Sequence, residues 1–237
     1  MDITKIKARF DGMGARSGYT DLENGRDYLR ICGGVAWPFN GRPGFVVLIG
    51  EAFRDLRYHD PPVFYGIAES RYRIDEDMLS KCVELASIVD TWYSNTTRQA
   101  QYIPLHQFNQ RQVEKNLRRI QLINVPMLSE DGDAAQLFSY ADSELDKRTL
   151  GGRKTIFLAG CPQVQAALQK VPEGPTRPEL ILGLPEVTAL YYALGAMFCF
   201  PFTIPSREPT VLQTDYDIFQ ERPAHNALKI DYSYLED

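Results

Sequence analysis

The segment Ile31–Glu51, ICGGVAWPFNGRPGFVVLIGE, constrains the fold of this chain more than any other. It opens with a glycine-rich run that includes apolar Val35 and Trp37. A polar turn rich in proline and glycine follows at Pro38–Gly44, and then the apolar run Phe45–Ile49. Two strand-forming runs separated by a short turn of this composition predict a β-hairpin.

Downstream of this hairpin, predicted strands and helices alternate. The predicted elements are a strand at Val63–Ser70, a helix at Asp75–Tyr93 with Asp75 as its N-cap, a short strand and its exit loop within Trp92–Ile103, a helix at Gln110–Gln121, an extended run at Leu122–Met127, a helix at Asp133–Leu145, a strand at Lys154–Ala159, a helix from Pro162, and a buried apolar helix at Pro185–Phe198. Strands followed by alternating helices and strands indicate an α/β protein with a mixed sheet that helices cover on both faces.

The two ends of the chain have a different composition. Residues 1–27 are polar and contain several glycines, which predicts an N-terminal arm with little core of its own. Residues 203–237 contain prolines and tyrosines without periodicity, which predicts an extended C-terminal tail. We therefore expect one domain at residues 28–202, a length sufficient for a full hydrophobic core.

Composition limits the classes of function. The 237 residues carry a formal net charge of −5, which argues mildly against a surface dedicated to nucleic acid, although a local basic patch can coexist with it. The sequence contains no Walker A loop, no GxSxG motif and no histidine pair at metal-ligand spacing. ATP hydrolysis, serine-nucleophile chemistry and histidine-based metal sites are therefore not predicted.

The cysteines and the apolar runs predict the setting of the protein. The four cysteines are scattered, form no CxxC pair and lie among apolar residues, so we expect small buried side chains in a reducing, cytoplasmic environment. No signal peptide is visible at Met1–Arg9. The most apolar run, Ala189–Phe202, ends in prolines and is too short to cross a bilayer, so no membrane partner is expected.

Three stretches together resemble a known family. GVAW, then FVVLIGE, then VFYGIAESRYRIDEDMLSKCVELASIVDTWYSNTTRQ resemble the nuclease domain of viral terminase large subunits, over roughly Tyr28–Phe200. The resemblance implies an RNase H-like fold and a role in phage or prophage DNA packaging. Double-stranded DNA and other packaging proteins, including a separate ATPase, are the partners it implies.

The acidic residues of that family are mostly absent here. The resemblance places its first-strand aspartate at Ala36 and the aspartate of its short fourth strand near Asn95. Its late helix-opening aspartates fall at Leu184 and Thr188, with Glu186 nearby. Two-metal phosphodiester hydrolysis needs clustered carboxylates around two Mg²⁺ ions. The resemblance thus implies a degenerate site, a pseudoenzyme that needs no cofactor.

An alternative keeps the fold and moves the active site. Glu51 ends the second predicted strand and Glu69 ends the third. If these carboxylates converge with another acid, they form the catalytic site of an active endonuclease that depends on Mg²⁺ or Mn²⁺. The further acids available for this are Asp90, Asp131, Asp133 and Glu186. The opposing interpretation is that acids at strand ends are simply solvated.

The most basic part of the chain lies in the predicted helix Gln110–Gln121. It carries the candidate DNA-binding residues Arg111, Lys115, Arg118 and Arg119. Their spacing predicts that most share one face, opposite inward-facing Val113 and Leu117. Such a face could contact a phosphate backbone, and the opposing interpretation is an ordinary solvated helix surface.

Three function hypotheses follow from the sequence. The first is a catalytically degenerate nuclease-like module of viral DNA packaging that acts by binding DNA or partner proteins. The second is the metal-dependent endodeoxyribonuclease built on Glu51 and Glu69. The third is a non-enzymatic assembly protein that docks through its C-terminal tail.

Overall fold

The computed structural model describes residues 3–12, 14, 16–53, 62–95, 99–124, 156–171 and 183–199 of the chain. All of them belong to one compact unit, Met1–Phe202. The predicted helix Asp133–Leu145, with Asp131 and Asp133, and the predicted tail at 203–237 lie outside the described residues.

The described elements alternate along the chain as the sequence predicts, after an additional hairpin at the start. They are β1 (Ile6–Phe10), β2 (Arg16–Asp21), β3 (Arg26–Ala36), β4 (Gly44–Ala52), β5 (Phe64–Tyr72), α1 (Asp75–Glu84), a 3₁₀ turn (Leu85–Ser87), β6 (Thr91–Ser94), α2 (Gln99–Glu114), β7 (Leu122–Asn124), β8 (Ile156–Phe157), α3 (Pro162–Leu168) and α4 (Pro185–Cys199).

In the described part of the chain, all eight strands join one mixed sheet. Its centre has the order β5-β4-β3-β6-β7, in which β5, β4 and β3 are antiparallel and β3, β6 and β7 are parallel. Strand β8 extends the β5 edge in parallel, and the β1–β2 hairpin pairs with the first residues of β3. This mixed sheet has the RNase H-like topology, so the predicted fold class is confirmed.

Helices cover both faces of this sheet. One hydrophobic core joins α3 and α4 to side chains of β3, β4 and β5, including the fully buried Phe45 and Val187. The other core lies beneath α1 and α2 and includes Met78 and Phe108. Of the described helices, none combines the length and apolar character needed to cross a bilayer.

The predicted hairpin is confirmed. Strands β3 and β4 pair from Tyr28↔Ala52 to Ala36↔Phe45. Beyond them, Phe39 and Arg42 exchange backbone hydrogen bonds of 3.1 and 2.9 Å, and Asn40 and Gly41 between them have positive φ angles of 49° and 76°. An Asn-Gly pair with this geometry forms a tight two-residue turn whose twist matches the flanking strands.

The N-terminal segment differs from the predicted arm, because its two strands join the sheet and bury Ile6 and Tyr19. The glycines that suggested an arm serve packing and turns. Gly18 has a φ of 139°, and a Cβ there would lie 2.3 Å from the carbonyl oxygen of Tyr28. Gly25, with a φ of 61°, lies in the turn that leads into β3. Glycine is required where backbones approach this closely.

The predicted helix Asp75–Tyr93 is too long. Helix α1 ends at Glu84, and a 3₁₀ turn then leads into β6. Asp75 is the first helical residue, and the N-cap position belongs to Ile74, which makes no capping hydrogen bond. The prediction failed because Trp92 is buried by the sheet, so its apolar character continued the helical spacing by coincidence.

The predicted basic helix is shifted along the chain. Helix α2 begins at Gln99 and ends at Glu114, and Asn116 turns the chain with a φ of 54°. The helix buries Phe108, whereas Val113 and Leu117, predicted to face inward, are 53% and 54% exposed. Leu117 follows the end of the helix, and Val113 lies five residues after Phe108, which places it on a different side of the helix.

The cysteine prediction is confirmed for three side chains. Cys32, Cys82 and Cys161 are buried and free. Burial raises the pKa of the Cys32 thiol to about 12 and also raises the pKa values of the other two. These thiols are therefore protonated and behave as small apolar groups.

Candidate functional site

A cavity of about 440 Å³ lies where β3 ends, beside the hairpin turn and the start of α4. Its lining includes Ala36, Trp37, Arg42, Gln101, Thr188 and Tyr192. We call it the Ala36 cavity. It gathers the end of the central strand and the first turn of α4, two of the three places to which the sequence resemblance assigns carboxylates.

The position of α4 against β3 is fixed by close backbone packing. A Cβ on Gly34 would lie 1.9 Å from the carbonyl oxygen of Ala189, so only glycine lets the helix approach this far. At the rim, Arg42 Nη1 donates a 2.7 Å hydrogen bond to the carbonyl oxygen of Gly183, just before the helix. These contacts tie the hairpin turn to the start of α4.

The described residues that line the Ala36 cavity carry no carboxylate. Ala36 and Thr188 stand at two of the positions where the resemblance implies aspartates. Asn95 follows β6 and is buried, and its neighbour Ser94 donates a 2.7 Å hydrogen bond to the Val35 carbonyl. Mg²⁺ and Mn²⁺ prefer several carboxylate ligands. The donors present here do not fit such a metal pair.

The other described residues do not form a metal site either. Within the described residues, no three His, Cys, Asp or Glu side chains cluster closely enough to hold a metal ion. Glu186, in the first turn of α4, forms an ion pair with Arg71 on β5. Arg71 lies in one row across the sheet with Phe45 and Ala36. An arginine thus neutralises the carboxylate that opens α4.

Glu51 lies at the other end of the hairpin. It is buried, stands opposite Arg30 in the β3–β4 register, and accepts a 2.7 Å hydrogen bond from Arg30 Nε. Arg30 Nη2 also donates to the Met197 carbonyl of α4 at 2.9 Å. Ala36 lies six positions after Arg30 on β3, about 20 Å at strand rise.

Glu69 has a different partner. Its carboxylate accepts hydrogen bonds from the backbone N–H groups of Gln163 and Val164, at 2.7 and 3.0 Å, in the first turn of α3. A negative charge there satisfies free N–H groups and complements the helix dipole. Glu69 pairs with Val47 on β4, four residues from Glu51, which separates the two glutamates by roughly 13 Å along the strands.

Asp90 is also committed to structure. It accepts hydrogen bonds from the Tyr19 hydroxyl and the Ile31 backbone N–H, both at 2.8 Å, and pairs with Arg16. These bonds fasten the N-terminal hairpin to the centre of the sheet. The structure therefore gives Glu51, Glu69 and Asp90 separate partners and does not bring them together.

The four candidate DNA-binding residues are all exposed. Arg111 lies on α2 and contacts Glu76 at 3.3 Å, and Lys115 directly follows the helix. Arg118 and Arg119 follow Asn116, outside any helix or strand, and line a second cavity of about 340 Å³, the Arg118 cavity. The four cations thus follow one continuous exposed segment rather than a single helix face.

Two residues that line the Ala36 cavity, and that the sequence did not single out, carry a buried polar atom without a partner. Trp37 is 7% exposed, and its indole Nε1 has no hydrogen-bond partner among the described residues. The same is true of Gln101 Oε1, on α2. A tryptophan near a core and a glutamine in a polar helix carry no local signal, so only the structure shows that both residues line one cavity.

Comparisons with known proteins find two solved structures of low similarity to this chain. No protein-family model matches the chain, and no curated protein matches its sequence. The nuclease domain of the large terminase of bacteriophage SPP1, solved with bound Mn, matches with a TM-score of 0.38 and 12% identity over 69% of this chain and 84% of that domain. The yeast mitochondrial Holliday junction resolvase matches with a TM-score of 0.34 and 10% identity, over 71% of this chain and 82% of that protein.

Proposed function

We propose that this protein is a nuclease-like module that binds DNA without cleaving it. The observation that carries the proposal is the composition of the Ala36 cavity, whose described lining holds no carboxylate. Glu186 lies in the first turn of α4, between the lining residues Pro185 and Thr188, and its carboxylate is already paired with Arg71. Hydrolysis by two metal ions requires carboxylates at this place, so the module acts by binding.

The basic segment Arg111–Arg119 is the proposed DNA contact. Its four cations are exposed on a protein whose net charge is otherwise negative. Lysine and arginine bind backbone phosphates and release counterions, which makes such binding independent of base sequence and weaker as salt rises. After the turn at Asn116 the segment continues beyond the end of α2. Its cations can therefore contact more of a phosphate backbone than those of the helix alone.

The sequence resemblance suggests where this binding is used. A nuclease-like module that only binds DNA requires an ATPase activity to move that DNA, as in viral or prophage packaging. We place the protein in such a system as a DNA-holding component in the host cytoplasm.

Fluorescence anisotropy of a labelled 20-base-pair duplex tests the proposal. The full chain should bind it at low salt, and affinity should fall steeply as salt increases. The variant Arg118→Ala/Arg119→Ala removes two phosphate contacts and should weaken binding about tenfold or more. Arg73→Ala/Lys170→Ala is the matched control, since it removes two exposed charges from other parts of the fold and should leave affinity within about twofold.

A second candidate is docking on a partner protein. Val113 and Leu117 expose large apolar side chains among the same four cations, which suits an acidic partner with apolar residues of its own. Absence of duplex binding at low salt would overturn the DNA proposal and favour this assembly role.

A further inference from the structure

The Arg118 cavity has a positively charged lining. Its volume of about 340 Å³ falls within the range of small-ligand sites. Arg118 and Arg119 both belong to the lining, and neither forms an ion pair with a carboxylate of the described residues. Arg118 Nη1 donates a long hydrogen bond of 3.4 Å to the carbonyl oxygen of Ala86, another lining residue, which places its guanidinium group at the cavity wall.

Asp90 is the one acidic residue in the described lining of this cavity, and its charge is already balanced. Its carboxylate pairs with Arg16 and accepts hydrogen bonds from the Tyr19 hydroxyl and the Ile31 backbone N–H group. Asp90 therefore does not neutralise the two lining arginines. The cavity is left with two positive charges, which a ligand with two negative charges would match.

The chain that follows the two arginines is held in place by the fold. Ile120, the next residue, is buried. Its backbone N–H and C=O groups both form hydrogen bonds of 2.9 Å with the Asn109 side chain of α2. A site whose backbone is fixed before a ligand arrives loses less conformational entropy on binding. The two arginines thus precede a fixed point of the chain, as expected for a pre-formed anion site.

A phosphate monoester has the charge that this cavity requires. It carries about −1.5 to −2 at pH 7, whereas each phosphate of a DNA backbone carries one negative charge. Arginine binds phosphate oxygens through paired, charge-assisted hydrogen bonds. We propose that the Arg118 cavity binds a phosphate monoester. The inference rests on the proposed function only for the source of this group, which is then the terminal phosphate of a DNA strand.

Stem-loop DNAs with a single end separate a terminal phosphate from the backbone. Three hairpins of one sequence carry a fluorophore in the loop and differ only in having a 5′-phosphate, a 3′-phosphate or no terminal phosphate. In fluorescence anisotropy with the full chain, a phosphorylated hairpin should bind at least about tenfold more tightly, the gain from one charge-assisted hydrogen bond. Because the backbone is identical in all three, backbone contacts by the Arg111–Arg119 segment alone predict equal affinities.

Three variants locate the bound phosphate. Ala86→Leu places a larger side chain in the cavity and keeps both arginines, so it should remove the preference for the phosphorylated hairpin. It should leave affinity for the unphosphorylated hairpin within about twofold. Arg119→Gln removes one charge and should reduce the preference about tenfold. Ala166→Leu is the matched control, because Ala166 is exposed on α3, and it should keep the preference.

The indole N–H signals of the two tryptophans test the ligand chemistry without a DNA end. Trp92 lines the Arg118 cavity, and Trp37 lines the Ala36 cavity. In a ¹⁵N-correlated NMR spectrum of the full chain, a Trp37→Phe variant assigns both signals. In phosphate-free buffer, thymidine 5′-monophosphate should shift the Trp92 signal saturably, whereas thymidine should not. An unchanged Trp37 signal confines the shift to the Arg118 cavity and shows that each variant is folded.

Two results would overturn the inference. One is equal binding of the three hairpins together with a Trp92 signal that thymidine 5′-monophosphate does not move. The other is a preference for a phosphorylated end that Ala86→Leu and Arg119→Gln both leave intact. A saturable Trp92 shift with equal hairpin binding would support a free, small phosphate monoester as the ligand. If no hairpin binds at low salt, the proposed function fails by itself, and the Trp92 titration still decides this inference.

Discussion

Arg30 and Glu51 stand opposite each other in the β3–β4 register and form a buried ion pair, with 2.7 Å between Arg30 Nε and Glu51 Oε2. Arg30 also reaches the Met197 carbonyl, so the pair joins both strands to α4. The carboxylate on which an active nuclease would depend is thus positioned to hold the fold together. We therefore expect substitutions of Arg30 or Glu51 to lower the stability of the fold.

Glu51→Gln should destabilise the protein by about 3–5 kcal/mol, because it leaves the Arg30 guanidinium buried without its counter-charge. Urea unfolding of the single variants Glu51→Gln and Arg30→Met, and of the double variant, measures the coupling between them. The double variant should be more stable than the sum of the two single losses predicts. Additive losses would show that the two side chains do not depend on each other.

Gly34→Ala should destabilise the protein by at least about 3 kcal/mol, at the upper end for overpacked cores. The added Cβ would lie 1.9 Å from the Ala189 carbonyl oxygen and would push α4 off the central strand. Gly12→Ala is the control, since nothing lies within 4 Å of a Cβ there, and it should change stability by less than about 0.5 kcal/mol. Equal thermal unfolding midpoints for the two variants would contradict the packing of α4 on β3.

Asp21 makes stability depend on pH at the turn between β2 and β3. Burial alone would raise the pKa of Asp21, but hydrogen bonds from the Asn24 side chain and from the backbone N–H groups of Asn24 and Glu23 outweigh it and lower the pKa below its ordinary 3.8. The ionised form is therefore favoured in the folded state. Its stabilisation is complete above pH 3.8 and is lost as pH falls through the folded-state pKa.

Urea unfolding of the parent and Asp21→Asn between pH 7 and pH 2.5 measures this effect. The parent should be more stable by about 1.5 kcal/mol at pH 7, the contribution of charge-assisted hydrogen bonds. The difference should shrink towards zero at the acidic end. A difference that stays constant over the whole range would show that the charge of Asp21 contributes nothing.

The sequence predicts the fold best where its pattern is local. The hairpin follows from the Asn40–Gly41 turn between two apolar runs, and α4 follows from a long apolar stretch after Pro185. Helix ends were predicted less well, because Trp92 and Leu117 extend helical spacing for reasons unrelated to a helix. Apolar periodicity cannot distinguish a residue buried by a helix from one buried by the next strand.

The candidate site depends on contacts between distant parts of the chain. The sequence shows that two positions expected to hold acids are occupied by Ala36 and Thr188. It could not show that Gln101 lines the same cavity as these two residues. Nor could it show that Glu69 caps α3 or that Arg71 binds Glu186, since each contact joins residues about a hundred positions apart. These pairings arise only once the sheet brings its edges and helices together.

Plasmid cleavage in the presence of Mn²⁺ tests the central claim most directly. The full chain, incubated with supercoiled DNA and millimolar MnCl₂ or MgCl₂, should leave the plasmid intact, because the Ala36 cavity lacks the carboxylates that two metal ions require. This account would be contradicted by nicking activity that co-purifies with the chain, stops with EDTA and disappears in both Glu51→Gln and Glu69→Gln. It would establish the alternative endonuclease.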